Sequence, residues 1–171
     1  MGETQLICPP VQEHLTTQVV IVGSGAAGMR TALDLADAGV PTLLVTRGEL
    51  TDSATDWAQG GLAAVWRADD SVDLHVADTL AAGAGLCDEQ AVRTLVTRAP
   101  GALRRLMADG ASFDTDDAGD IDLHLEGGHH ARRILHAGGD QSGHEVEVAL
   151  ARRAGALDAV SYTHLTLPTI Y

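Results

Sequence analysis

The spacing of apolar residues along the chain predicts an α/β protein. Four β-branched residues, Val19–Val22, predict a buried parallel strand, and a largely apolar helix follows until Gly39 ends it. Residues 42–45 predict a second strand, reached by a right-handed crossover that makes it parallel to the first. The beginning of the chain is therefore predicted to be a βαβ unit of a parallel sheet.

The middle of the chain predicts helices that serve only for packing. The first is capped by Asp70 or Ser71 and is expected to end at Gly83. The next is capped by Asp88, and Pro100 is expected to break it. No chemistry is predicted for either helix.

The pattern changes again after these helices. Ile121, Leu123 and Leu125 alternate with polar residues within the acidic segment 114–126, which predicts a β-hairpin with an acidic turn. A short helix is predicted from about residue 145 to residue 154.

A glycine-rich turn joins the first strand to the first helix. Its sequence, Gly23-Ser24-Gly25-Ala26-Ala27-Gly28, fills the G-x-G-x-x-G pattern. The first glycine permits a tight turn, the second lets the backbone approach a pyrophosphate, and the third lets helix and strand pack closely. The free N–H groups of the helix then face the phosphates. The turn is predicted to bind a dinucleotide; the alternative is an ordinary glycine turn.

The residue after the second strand does not identify which dinucleotide cofactor is bound. An acidic residue that binds the adenosine ribose is common there, but this chain has Thr46-Arg47, with Glu49 two residues later. Arg47 could contact the 2′-phosphate of NADP, or the adenine or pyrophosphate of FAD. It could also be a solvated loop residue.

A second glycine-containing loop follows at residues 51–62. The pair Gly60-Gly61 permits another close approach of backbone to a flat ligand, and Gln59 offers an amide to a polar ring edge. The alternative is a loop that is only packed by Trp57 and Trp66. The residues by themselves do not decide between the two.

Charged side chains concentrate at residues 126–136, where Glu126 precedes three histidines and two arginines. Their spacing matches no common metal site. Arginine and histidine suit carboxylates, and Glu126 suits an ammonium group, so an anionic or zwitterionic ligand is favoured. The alternative is a charged surface loop.

Composition narrows the classes of function. The 171 residues carry a net charge of -13, which disfavours a nucleic-acid partner. The absence of lysine excludes a P-loop and a pyridoxal-phosphate Schiff base. We expect no membrane span and no signal peptide, and the isolated Cys8 and Cys87 favour a reduced, cytoplasmic setting.

Four blocks in this order resemble the L-aspartate oxidases of the succinate dehydrogenase/fumarate reductase flavoprotein superfamily. They lie at residues 22–28, 57–64, 78–88 and 126–136, and the resemblance runs from about residue 18 to residue 154. It implies a truncated Rossmann-like FAD-binding domain of the GR2 type. The beginning of an inserted α+β substrate-binding region is expected to follow.

The resemblance also implies roles for individual residues. Non-covalent FAD is expected, because Ala54 stands where membrane fumarate reductases carry the histidine that bonds the flavin. Glu126 matches the glutamate that orients the substrate through its α-ammonium group. The expected FAD contacts are Gly23, Ser24, Gly25, Ala26, Ala27, Gly28, Arg47, Ala54, Thr55, Asp56, Trp57, Ala58, Gln59, Gly60 and Gly61.

The implied activity is oxidation of L-aspartate to iminoaspartate, the first step of de novo NAD biosynthesis. Dioxygen or fumarate would reoxidise the flavin, and a functional link to quinolinate synthase is expected. The family's catalytic arginine and further substrate residues belong to a later part of the protein. Two alternatives are a succinate dehydrogenase or fumarate reductase subunit, and an NADP-binding module without catalysis.

The sequence divides into three parts. Residues 1–17 are interpreted as an N-terminal extension and residues 18–160 as a partial FAD-binding domain. Residues 161–171 contain both tyrosines but no arginine, aspartate or glutamate, and resemble translated sequencing-adapter DNA. We therefore interpret them as a non-native tail, and we expect the 171-residue piece alone to be inactive and poorly soluble.

Overall fold

The computed structural model describes residues 15–157 and 160–164. Within these residues, two three-stranded sheets pack with four helices. The elements are β1 (Val19–Val22), α1 (Ala26–Asp37), β2 (Thr42–Thr46), β3 (Leu62–Ala63), α2 (Val72–Ala82), α3 (Glu89–Ala108), β4 (Leu123–His124), β5 (Ile134–Leu135), α4 (Ser142–Gly155) and β6 (Val160–His164).

The first sheet is parallel, with the strand order β1-β2-β6, and it confirms the predicted βαβ unit. Val19 is paired with Thr42 at the beginning of this register. The prediction that β1 is buried is wrong for one face, because Val20 and Val22 are 56% and 83% exposed. No described element covers that face, so only the alternate residues of β1 contact the core.

The other face of the parallel sheet packs on α1 and α4. Met29 and Leu33 of α1 meet Leu44 of β2, and Val146 and Leu150 of α4 complete the cluster. Burying an aliphatic side chain of this size contributes roughly 1.5–3 kcal/mol. This cluster therefore fixes α1 and α4 against each other, directly beside the glycine turn.

Helices α2 and α3 begin at the predicted caps. Leu74 N–H donates to the Ser71 hydroxyl, and Asp88 caps α3 in the same way. The predicted break at Pro100 is wrong, since α3 continues through it. Proline removes one helical hydrogen bond. The buried face that begins at Val92 and runs past the proline to Leu103 maintains the helix by packing.

The second sheet is antiparallel, with the order β3-β5-β4. The predicted hairpin is present in reduced form, because a single bridge pairs Thr115 with Ile121 around the acidic turn. Leu123 is buried as expected, but Leu125 lies beyond β4 and is half exposed. Helix α4 begins at Ser142, three residues before the predicted start.

Strand β6 crosses the predicted boundary at residue 160, and its backbone pairs in parallel with β2 over its whole length. Strand pairing does not test whether the residues after Val160 are native, so the non-native tail stays a prediction. Residues 1–14, most of the predicted extension, and residues 165–171 lie outside the described part. No helix in the described residues is long and apolar enough to cross a membrane.

Candidate functional site

The glycine turn between β1 and α1 has the geometry expected of a phosphate-binding turn. Gly23 has a φ of +108°, and its N–H donates to Val45 O at 2.8 Å. A Cβ on Gly28 would lie only 1.9 Å from Gly23 O, so only glycine fits there. Gly25 caps α1 without a side-chain hydrogen bond. Gly25 itself therefore leaves the N–H groups of the first helical turn available to other acceptors.

The end of β2 supports this turn from one side. The hydroxyls of Ser24 and Thr46 are 2.9 Å apart and buried, which ties the turn to the second strand. Arg47 follows directly and is exposed, and it makes no ion pair within the described part of the chain. Its guanidinium is therefore accessible to a ligand beside the turn.

The loop at residues 51–61 lies against the N-terminus of α1. The N–H of Ala26, the first residue of the helix, donates to Thr55 Oγ1 at 3.0 Å. The Thr55 N–H donates in turn to Ser53 Oγ at 3.0 Å. A Cβ on Gly25 would be 3.3 Å from Thr55 Oγ1. Two segments that are separate in the sequence thus form one surface.

Helix α4 packs under the same loop. Gly143 N–H donates to Ala58 O at 3.1 Å, and a Cβ on Gly143 would lie 2.1 Å from Thr55 O. His144 Nδ1 lies 2.7 Å from Asp56 Oδ1. The small residue at 143 therefore decides how closely α4 can support the loop.

One buried acid of α4 was not predicted from the sequence. Glu147 is 0% exposed, and neither carboxyl oxygen has a hydrogen-bond partner. Burial raises its pKa, and the negative charge of Asp56 acts in the same direction. The hydroxyls of Ser53 and Thr55 oppose this shift. In the sequence it is one of two glutamates on the same helix, so nothing distinguishes it.

Glu126 lies at the other end of the loop. Its Oε1 atom is 2.8 Å from His136 Nε2, and His136 Nδ1 is 2.8 Å from Gly139 O. Both ring nitrogens therefore lie within hydrogen-bond distance of an oxygen atom, which fixes the orientation of the ring. A Cβ on Gly61 would be 3.0 Å from His136 Nε2. The predicted Gly60-Gly61 pair and the predicted charged segment are thus in contact.

The expectation that both arginines of this segment face a ligand is wrong for Arg133. Its side chain is buried and donates two hydrogen bonds to Asp70 and one to Asp78. Burial opposes ionisation of Asp78, but hydrogen bonds from His130 and Arg133 outweigh it and hold the pKa of Asp78 well below its usual range. Arg133 therefore joins α2 to the 126–136 segment, and Arg132 stays exposed.

The remaining predicted contacts form an open edge. Ala27, Ala54, Trp57, Ala58 and Gln59 are exposed. The packing role considered for Trp57 is not observed, whereas Trp66 is half-buried with the Arg104 guanidinium 4.8 Å from its ring centre. Among the residues that the structure describes, no three His, Cys, Asp or Glu side chains are grouped to hold a metal ion.

The site fits a dinucleotide in three respects. The Gly23–Gly28 turn excludes side chains where a pyrophosphate approaches, and the first turn of α1 offers N–H groups in addition to that of Ala26, which donates to Thr55. The hydroxyls of Ser53 and Thr55 lie beside these groups. Trp57, Ala58 and Gln59, which follow these hydroxyls in the loop, are exposed.

Comparison with known proteins agrees with this geometry. The model of the FAD binding domain family matches residues 18–166. L-aspartate oxidase of Streptomyces coelicolor is 51% identical over 142 residues, which are 83% of this chain and 24% of that protein. The L-aspartate oxidase of Mesorhizobium japonicum is 48% identical, over 84% of this chain and 28% of that protein. The chain thus spans about a quarter of the length of these curated relatives.

Solved structures show the same fold. The E. coli quinol fumarate reductase superposes with a TM-score of 0.82 at 27% identity, over 86% of this chain and 26% of that chain. A flavocytochrome c3 fumarate reductase gives a TM-score of 0.75 at 26% identity, with the same shares of both chains. With its Rossmann-like βαβ unit and its match to the family model, the chain belongs to the FAD-binding domain family.

Proposed function

We propose that this chain is part of an L-aspartate oxidase, which oxidises L-aspartate to iminoaspartate. The identity of about 50% to curated L-aspartate oxidases supports the proposal. The observation that carries it is the contact between Glu126, His136 and Gly61, because this contact holds a carboxylate beside the loop that binds FAD.

FAD is held by the two segments that meet at α1. The turn contributes Gly23, Ser24, Gly25, Ala26, Ala27 and Gly28, and the loop contributes Ala54, Thr55, Asp56, Trp57, Ala58, Gln59, Gly60 and Gly61. The N–H groups at the beginning of α1 bind the pyrophosphate. Arg47, exposed at the end of β2, contacts the adenosine end of FAD rather than an NADP 2′-phosphate.

FAD, when bound, supplies the two-electron acceptor for the oxidation. The chain itself supplies substrate orientation. The Glu126 carboxylate pairs with the α-ammonium group of L-aspartate, and His136 keeps the carboxylate in place through Oε1. The second oxygen of Glu126 is left for the substrate.

FAD is bound without a covalent link. Ala54 lies exposed in the loop and has no side-chain atom that could bond a flavin. Acid precipitation of the purified full-length protein should therefore release all of the flavin into the supernatant. Flavin that stays with the precipitated protein would contradict this proposal.

The remaining proposals concern the whole protein. Dioxygen or fumarate would serve as the final electron acceptor, and the similarity to fumarate reductases supports fumarate. The product, iminoaspartate, is unstable and suits a functional link to quinolinate synthase in NAD biosynthesis. The low cysteine content suits a cytoplasmic enzyme.

One assay tests the proposed activity. The full-length protein containing this chain is expected to form peroxide and iminoaspartate from L-aspartate under air, with succinate as the control substrate. Turnover of succinate without turnover of L-aspartate would instead identify a succinate dehydrogenase or fumarate reductase subunit.

A further inference from the structure

The buried Glu147 has no role in the site described so far. Leaving a buried carboxyl without hydrogen bonds costs several kcal/mol as a charge and about 1–3 kcal/mol as a neutral group. Glu147 nevertheless lies on the face of α4 that supports the loop at residues 51–61, with both oxygens unpartnered. An unsatisfied polar group in this position points to a function in ligand binding.

The hydroxyls of Ser53 and Thr55 belong to the loop that α4 supports, and they are close enough to this carboxyl to lower its pKa. Each hydroxyl already accepts one backbone hydrogen bond, Ser53 from Thr55 N–H and Thr55 from Ala26 N–H. A hydroxyl has one proton and two lone pairs. Each therefore has one proton and one lone pair left, between Glu147 on one side and the phosphate-binding turn on the other.

The protonation state of Glu147 decides the direction of these hydrogen bonds. A carboxylate would attract both hydroxyl protons and turn lone pairs toward an anionic ligand. A neutral carboxyl instead donates to a hydroxyl lone pair, so that the hydroxyl proton is free for a phosphate oxygen.

The charged groups around Glu147 would not compensate the negative charge of its ionised form. Asp56 in the loop is negative and is paired with His144, which lies on α4. On α1, Arg30 pairs with Asp109 and with an acid of its own helix. No described cation makes an ion pair with Glu147.

We propose that Glu147 is a positioning residue for FAD: its neutral carboxyl donates to one of the two hydroxyls of Ser53 and Thr55 and thereby directs the proton of that hydroxyl toward the FAD pyrophosphate. The proposal rests on the FAD-binding part of the proposed function and not on the oxidation of L-aspartate. Gly143 and Glu147 are four residues apart and therefore lie on the same face of α4. Both residues would then support the loop at residues 51–61.

FAD affinity as a function of pH tests this. The dissociation constant is measured by quenching of flavin fluorescence on the deflavinated full-length protein. In the wild type it should rise about tenfold per pH unit once the pH passes the titration of Glu147, because only the neutral form binds well. E147Q retains a donor and cannot ionise, so its affinity should stay within about threefold of the low-pH value throughout.

Two further variants complete the experiment. E147L removes the donor and should weaken FAD binding about tenfold at low pH. E145Q, on the same helix, keeps the oxygen that accepts Ser112 N–H and should follow the wild type at every pH. Circular dichroism checks that each variant is folded. If E147L does not fold, the comparison of E147Q with the wild type is sufficient to test the proposal.

Two results would overturn the proposal. One is an E147Q curve with the same slope as the wild type, and the other is E147L binding FAD as tightly as the wild type. Loss of L-aspartate turnover with these FAD curves intact would contradict the proposed activity and leave the role of Glu147 standing. Failure of the wild type to bind FAD at any pH would refute both proposals.

Discussion

The substitution Gly28→Ala tests the geometry of the phosphate-binding turn with a single methyl group. Gly28 is the third residue of α1, where its helix lies against β1. The added Cβ would be 1.9 Å from Gly23 O and 3.5 Å from Ile21 Cγ2. The first contact is with backbone, so no side-chain rotation relieves it. Helix α1 must move away from the turn by an ångström or more.

Two opposing terms give the magnitude. Alanine gains about 1 kcal/mol over glycine in a helix interior. Overpacking against the fixed backbone costs roughly 1–3 kcal/mol, and this close contact lies at the upper end of that range. We expect G28A to lose about 1–2 kcal/mol net, and to weaken FAD binding further because the N–H groups of α1 move with the helix.

Gly101→Ala provides the matched control. Gly101 is also inside a helix, α3, but a Cβ there meets nothing within 4 Å. The propensity gain of about 0.5–1 kcal/mol is therefore not offset, and G101A should be more stable than the wild type.

The assay is thermal unfolding of the full-length protein by circular dichroism, with and without FAD, together with FAD titration. G101A should raise the melting temperature and leave the FAD affinity unchanged, whereas G28A should lower both. If G28A has the same melting temperature as G101A and binds FAD like the wild type, the inferred close packing of α1 on the Gly23 turn is wrong.

Three further predictions concern separate parts of the molecule. Asp78→Asn should cost about 1.5–3 kcal/mol, because Arg133 loses a charged hydrogen-bond partner while Asp70 still pairs with it. The pKa of Asp78 is lowered in the folded state, so the stability that its carboxylate confers is present above the ordinary pKa and is lost as the pH falls below that value. Urea unfolding at several pH values should therefore show a steeper loss of stability in acid for the wild type than for the variant. Pro100→Ala should stabilise α3 by roughly 1–3 kcal/mol by restoring a helical hydrogen bond, and an unchanged melting temperature would contradict this. Glu126→Gln should raise the KM for L-aspartate at least about tenfold without changing FAD affinity, and His136→Gln should raise this KM by a smaller factor. Steady-state kinetics measure both effects, and an unchanged KM in E126Q would refute the contact with the ammonium group.

The parts of the fold that were predicted correctly depend on short segments. The β-branched run at β1, the caps at Ser71 and Asp88 and the glycines of the first turn act within a few residues of each other. Their conformational preferences can therefore be predicted from the sequence. The approach of the Gly60-Gly61 pair to a flat ligand stays a prediction, because the close contacts of Gly61 in the structure are with Ile134 and Leu135 of β5 and with His136.

The errors arise where distant segments decide the outcome. Pro100 lies inside a continuous helix because the packing of Val96 and Leu103 outweighs a local preference. Val22 is exposed because no described element covers its face of the sheet. Arg133, predicted to face a ligand, is buried because Asp70 and Asp78 of a preceding segment meet it.

The sequence by itself determined that a strand, a glycine turn and a helix form a cradle for a dinucleotide, since each of these preferences is local. Only the tertiary structure decided what surrounds the cradle. It placed Thr55 on the first N–H of α1, His136 between Gly61 and Glu126, and the unpartnered Glu147 behind the loop. These contacts join residues far apart in the chain, and the partner of a polar side chain is set by packing rather than by its neighbours in sequence.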